Sequence, residues 1–241
     1  MLILALDTSS SVGAALLDGE RLLAAEQHHD PRRHGELLAP AVSAVLTAAG
    51  VDRRELGAVA VGVGPAPFTG LRVGVATALV LGEALGIPVH GVGSLDALAA
   101  TALAAGRQSL AGGFVVAADA RRREVHWARV AVDDASDPLS GWRRTGGPAV
   151  AAPTDVPAEG LPAVGRGAEL YREALPGLPV GAPGGEPGDR ADRAALPTDP
   201  DPGVLGALVA RRLERGGELL PPQPLYLRRP DAKVPAALAG R

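Results

Sequence analysis

Apolar residues run from Leu2 to Leu6, break at Asp7 into the polar turn Thr8 to Ser11, and resume from Val12 to Leu17. Two short apolar runs around a polar turn predict a β-hairpin. Asp18-Gly19 is a hairpin-turn pair, so Arg21 to Gln27 predicts a third antiparallel strand. From His34 to Ala49 the spacing changes: Leu37, Leu38, Ala41, Val42, Val45 and Leu46 recur three and four apart, and Gly50 stands where a helix C-cap belongs. The chain continues with a buried strand at Ala58 to Val63, a Pro/Gly loop at Gly64 to Gly70 and a helix at Leu71 to Leu85. A strand at Pro88 to Val92 and a helix from Ser94 to about Ala105 follow. Strands alternating with helices of this length predict an α/β fold with crossover connections.

The pattern then starts again. Phe114 to Ala118 is an apolar run ending in Asp119, followed by a polar turn through Glu124 and a strand at Val125 to Val132. Aligning Asp7 with Asp119 aligns strand, carboxylate, turn and returning strand, which predicts a duplicated unit. We place the boundary near the glycines at 106, 112 and 113, giving a first domain at 1–108 and a smaller, degenerate one at 109–241. Pro153 to Pro202 is rich in Pro and Gly, and Gly181 to Arg193 approaches low complexity, so loops or partial disorder are expected. Gly203 to Arg215 predicts a last helix, and Pro221 to Arg229 an extended tail near the surface.

At 241 residues and 46% apolar content, the chain can bury one large core or two ordinary ones. No apolar run reaches the length of a membrane span, and Asp7 interrupts the N-terminus too early for a secretion signal, so a cytoplasmic protein is expected. Cysteine is absent, which removes disulfides, thiolate metal sites and a Cys nucleophile. A net charge of −3 provides no whole-molecule basic footprint, so autonomous RNA binding is not expected.

A carboxylate at a strand end before a hydroxyl-rich turn is how actin-like and sugar-kinase folds hold phosphate and Mg²⁺ between two halves. Asp7, Thr8 and Ser9, opposed by Asp119, suit that role; they equally suit an ordinary turn, for which Asp and Ser are common formers. The loop containing Gly64, Pro65, Thr69 and Gly70 joins a strand to a helix, where free N–H groups favour an anion. It lacks the Gly-Lys-Ser/Thr of a P-loop, and a tight strand-to-helix turn explains the same residues. His28, His29, His34, His90 and His126 have no metal-ligand spacing; His29 and His34 are five apart and would point to different faces of a helix. No Ser sits in a nucleophile elbow. No metal site and no catalytic residue are therefore assigned.

A surface is more informative. The helix at 71–85 carries Val73, Val75, Leu79, Val80 and Leu81 with few polar positions, so beyond its own sheet and the helix at 34–49 something outside the domain is expected to cover it; a helix buried entirely by its own domain gives the same pattern. Leu38, Val42 and Val45 on the first helix, with Val75 and Leu79 on the second, are the expected partner interface. Gly74, Ala76, Ala78 and Gly82 would admit close approach of another helix.

The stretches MLILALDTSSSVGAALL, HGELLAP, GVGPAPFTGLRVGVATA, IPVHGVGSLDALA, AADARRREVHWA and PLYLRRPDA together resemble the TsaB (YeaZ) family, most clearly over residues 1–132. Members of that family usually carry Gly-Pro-Gly-Ser-Phe-Thr-Gly in the loop, where this chain has Ala66 and Pro67 at the third and fourth positions. The resemblance implies a duplicated actin-like, sugar-kinase-like (ribonuclease H-like) fold with mixed sheets flanked by helices. It implies a non-catalytic subunit of the tRNA threonylcarbamoyladenosine machinery. Such a subunit dimerises with TsaD through its two N-terminal helices, is joined by the ATPase TsaE, and forms a homodimer when alone. ATP and a metal ion would be used by those partners, and tRNA would be met only within the complex. TsaD-like enzymes hold their metal with a His-x-x-x-His pair on the first helix; here His34 begins that helix and Leu38 stands at the second position. The glycine-rich adenosine loop of active relatives has no clear counterpart after Val132. An independent ATP-dependent kinase on the same fold is the alternative, and a metallopeptidase lacks a ligand set.

Overall fold

The structure is a computed structural model, and it describes residues 1–30, 33–106, 108–175 and 196–227. The low-complexity stretch read at 181–193 and the end of the tail read at 221–229 lie outside the described residues. Strands β1 (Leu2–Asp7), β2 (Val12–Asp18) and β3 (Arg21–His28) form an antiparallel meander. Helix α1 (His34–Ala49) crosses to β4 (Ala58–Gly62), and α2 (Phe68–Leu85) crosses to β5 (Val89–Val92). Both new strands add in parallel on the far side of β1, giving the order β3-β2-β1-β4-β5. Helix α3 (Ser94–Ala104) leads to a second sheet of β6 (Phe114–Asp119), β7 (Val125–Val132), β8 (Trp142–Ala151) and the short β9 (Ala163–Val164). Its order is β8-β7-β6-β9. Helices α4 (Arg166–Leu170) and α5 (Pro202–Glu214) complete the elements.

The second sheet repeats the first four strands of the first: two antiparallel neighbours on one side of the leading strand and a parallel one on the other. The registers match as well, Asp7 opposite Gly13 and Asp119 opposite Val125. The duplicated α/β architecture expected from the sequence is the architecture of the molecule.

The leading strands read as continuous apolar runs because both faces of each sheet are covered, the usual reason for unbroken Val/Leu/Ala patterns. Leu4, Leu6, Ala14, Leu16, Val59 and Val61 face α1 and α2, meeting Leu38, Val45, Leu71 and Val75. Ile3, Ala5, Ala15, Leu17, Ala58 and Ala60 face the other way, against Leu205, Leu208 and Val209 of α5. In the second sheet Phe114 and Val116 pack on Leu95, Leu98 and Ala102 of α3, while Val115 and Ala117 face Ala168 and Leu175. Helix α3 lies between the two sheets, since Ala97 and Ala100 belong to the α5 side of the first core.

Three expectations are corrected. Helix α2 begins at Phe68, three residues earlier than Leu71, because Pro67 can precede a helix and Phe68 to Gly70 continue its turn. The ten-residue strand β8 occupies 142–151, where no element was expected. It is an edge strand whose Arg143, Arg144 and Thr145 are exposed, so it carries no apolar alternation. Helix α5, assigned by sequence to the second half, packs on the first sheet. Burying Leu205, Leu208 and Val209 there contributes roughly 1.5–3 kcal/mol per side chain. The tail follows it: Leu220 bridges to Gly91, and the Leu225 N–H donates to the Val63 carbonyl at 2.8 Å.

Candidate cleft and helix surface

Asp7 ends β1, 1% exposed. Its Oδ1 accepts from the Ser9 N–H at 2.8 Å and the Ser9 hydroxyl at 2.6 Å; its Oδ2 accepts from the Ser94 hydroxyl at 2.9 Å. Ser94, at the start of α3, in turn accepts from the Gly64 N–H at 3.1 Å. Gly62 of β4 presses against the carboxylate, and a methyl group there would overlap Oδ2. Burial raises the Asp7 pKa above the ordinary carboxylate range, the Ser9 and Ser94 hydrogen bonds oppose the rise, and the nearby charge of Asp199 adds to it. Thr8 is equally enclosed. Its hydroxyl donates to the Gly70 carbonyl at 2.8 Å and accepts from the Gly74 N–H at 3.1 Å, two groups that an α-helix pairs with each other. The β1–β2 turn is thus threaded into the first turn of α2, with Gly70 and Gly74 providing the space.

The structure therefore brings Asp7, Thr8, Ser9, Gly64 and Gly70 into one hydrogen-bonded network. Pro65 is buried beside it, and Thr69 is exposed at the start of α2. Ser94, Gly62 and Gly74 complete the network and were not singled out from the sequence; the Gly-Ser pair after a predicted strand was the available signal. An actin-like fold implies a nucleotide and a cation in this region. Both oxygens of Asp7 already accept hydrogen bonds from its own surroundings, and Gly62 and Ser94 close over it, so these residues do not fit a carboxylate that ligates a cation.

Asp119, at the matching end of β6, keeps 18% of its side chain exposed. Its Oδ1 accepts from the Arg121 N–H at 2.8 Å, and its Oδ2 pairs with the Arg121 guanidinium at 3.3 Å. The turn beyond it holds Arg121, Arg122 and Arg123 at φ of 61, 56 and 60°, a left-handed run that costs non-glycine residues roughly 1 kcal/mol or more each. His126, next in β7, is buried; burial pushes its pKa down to about 4, the nearby Asp119 pulling the other way. His34 is also shifted down, chiefly by burial, with Asp30 opposing and Arg121 reinforcing the shift. His29 pairs with the buried Asp199 at 3.1 Å and His28 with Glu26 at 3.2 Å.

The helix surface is narrower than the sequence suggested. Leu38, Val45 and Val75 are 1%, 1% and 3% exposed and belong to the core beneath α1 and α2, so they are not presented to a partner. Gly74 faces Thr8, Gly82 faces Val89 and Ala78 is buried, so of the four small residues Ala76 alone is exposed. Val42 is half-buried, Leu79 is 44% exposed, and the neighbouring Val80 is 67% exposed. Beside them a groove of about 630 Å³ runs between the helices, bordered by Val42, Leu46, Leu81, Arg53 and Arg54.

Two units of repeated topology, each a mixed sheet whose leading strand ends in a carboxylate, define an actin-like protein. Residues 24–142 match a family model described as TsaD: tRNA N6-adenosine threonylcarbamoyltransferase. YeaZ from Pseudomonas aeruginosa has a solved structure with a TM-score of 0.71 and 30% identity, over 94% of this chain and 99% of that one. An uncharacterized protein of Mycobacterium tuberculosis is 40% identical over 96% of this chain and 93% of its own length. TsaB of Escherichia coli is 34% identical over 134 residues, 56% of this chain and 57% of that protein. Of a related Mycobacterium leprae protein the chain spans 56%. The chain belongs to the TsaB (YeaZ) family.

Proposed function

We propose that this protein acts in the biosynthesis of tRNA threonylcarbamoyladenosine, as a non-catalytic subunit that binds a TsaD homologue through α1 and α2. The name of the E. coli relative, tRNA threonylcarbamoyladenosine biosynthesis protein TsaB, supports the pathway. The observation that carries the partner reading is that α2 leaves Leu79 and Val80 exposed while half-buried Val42, Leu46 and Leu81 line an open groove between α1 and α2. A non-catalytic role is supported by the saturated Asp7 and the Arg121-paired Asp119, which leave neither strand-end carboxylate free for chemistry. On this reading a TsaE homologue joins as third component, and ATP and a metal ion are used by the partner subunits. The protein meets tRNA only within the complex, self-associates through the same helices when alone, and works in the cytoplasm. No helix among the described residues is long and apolar enough to cross a membrane.

Reconstitution of tRNA modification with and without this chain, partners held constant, tests the role; undiminished product without it would end the proposal. Leu79→Glu, Val80→Glu and Val42→Glu are each expected to abolish co-elution with a TsaD homologue. An unpaired charge buried in an interface costs roughly 3–5 kcal/mol, while the exposed Leu79 and Val80 can be changed with the lone fold intact and thermal melting checks the half-buried Val42 variant. Replacing Asp7 is expected to spare the co-elution of whatever protein folds.

A further inference from the structure

On the side away from α1 and α2, the start of β8 and the last turn of α5 enclose a groove of about 400 Å³. Five arginines line it: Arg143 and Arg144 from the strand, Arg211, Arg212 and Arg215 from the helix, against Asp96 as the one carboxylate of the lining. A basic residue in the last turn of a helix is accounted for by the helix dipole. That does not account for two more arriving from the opposite wall.

The charges are unequally committed. Arg211 is fully used: its guanidinium forks onto Glu20, and its remaining nitrogen meets Asp137 at 3.3 Å. Arg144 pairs with Asp96 at 3.0 Å, and Arg143 with the exposed Asp133 at 3.4 Å. Arg212 and Arg215 have no carboxylate within 4.0 Å among the described residues; Asp96 feels Arg212, and Glu20 feels Arg215, at longer range. Glu214 and Glu218 flank them on the exposed end of the helix. Trp142 supplies a half-buried aromatic wall, its indole N–H donating to the Pro138 carbonyl at 2.8 Å.

We propose that this groove is a phosphate-binding site, in which Arg212 and Arg215 hold the anion and Trp142 flanks the organic part of the ligand. Guanidinium forks match phosphate oxygens, and a phosphate group is the ligand chemistry that suits two neighbouring guanidinia left without a carboxylate within 4.0 Å among the described residues once Arg143, Arg144 and Arg211 are paired. The volume is in the range of small-molecule sites. The phosphate is that of a free nucleotide or of an RNA backbone, and the experiment separates these sources. The site lies away from the surface proposed for TsaD, so it stands or falls independently of that reading.

The test uses the full chain carrying Trp127→Phe, which leaves Trp142 as the sole one of two tryptophans and a local fluorescence reporter. Pyrophosphate, ADP and a short RNA hairpin are titrated by calorimetry and by Trp142 fluorescence at low and high salt. Pyrophosphate is expected to bind with an affinity that falls as salt rises. ADP quenching Trp142 would assign the free nucleotide as source, and the hairpin displacing pyrophosphate while ADP does not quench would assign the backbone. Arg212→Gln with Arg215→Gln is expected to weaken pyrophosphate roughly tenfold per guanidinium. Arg212→Lys with Arg215→Lys keeps the charge and restores part of the affinity, and Arg166→Gln with Arg172→Gln, an equal charge change elsewhere, leaves it unchanged. Thermal melting monitors the fold of each variant. Absence of binding by all three probes, or binding that the Gln pair leaves untouched while the fold persists, overturns the proposal.

Discussion

The two halves share strand order and register, yet the carboxylates at their matching strand ends sit in opposite surroundings. Asp7 is closed in by Ser9, Ser94 and Gly62, and serves as the knot that ties β1, β4 and α3 together. Asp119 lies at a half-open edge and is engaged by the Arg121 of its own turn. The neighbouring register position differs too: the first half has Ala14 where the second has buried His126. Duplication reproduces a backbone path, and the side chains then decide whether each copy of a position is structural or accessible.

The largest test of this contrast is Gly62→Ala. A methyl there overlaps the Asp7 carboxylate and comes within 2.8 Å of the Ser94 hydroxyl, so a loss of about 4 kcal/mol or more is expected, seen as insoluble protein or a collapsed melting transition. A variant that melts like the parent would show that the knot can loosen.

His126 tests the second half through pH. Its folded pKa of about 4 lies below the unfolded value, so its contribution is fully present above about pH 6.5 and is lost as pH falls towards 4, when the unfolded chain takes the proton first. The loss amounts to about 3 kcal/mol across that window, and His126→Gln should flatten that part of the stability profile in urea melts at pH 7 and pH 4.5. Parallel profiles for parent and variant would refute it.

The smallest effect is the paired comparison. Asp7→Ala strands two hydroxyls and an N–H and should cost about 2 kcal/mol, whereas Asp119→Ala removes a partly exposed ion pair and should stay within about 0.5 kcal/mol. Equal losses would erase the distinction.

What the sequence disclosed follows from which interactions are local. Helix α1 was readable from end to end, since its apolar spacing and the left-handed Gly50 cap lie within one segment. The hairpin β6–β7 was readable as a copy of β1–β2. Strand β8 was not, because an exposed edge carries arginine, threonine and glycine; the duplication itself was the overlooked signal, as the second unit needs a counterpart of β3. At the cleft, residue types pointed to Asp7, Thr8 and Gly70. That they saturate one another depends on contacts 62 and 87 positions apart, which no local pattern reports. The excess of apolar residues on α2 was readable from its sequence. Which of them face inward required the neighbouring helix, and Leu38, Val45 and Val75 were lost to the core for that reason.

The placement of α5 sets an order of events during synthesis. One side of the first sheet, bearing Ile3, Ala5, Leu17 and Ala60, has no lid until residues 202–214 have left the ribosome. About two hundred residues must follow β1 before that face of it can become dry. A message truncated ahead of that helix would yield a nascent chain with a bare greasy sheet, a ready client for chaperones and proteases.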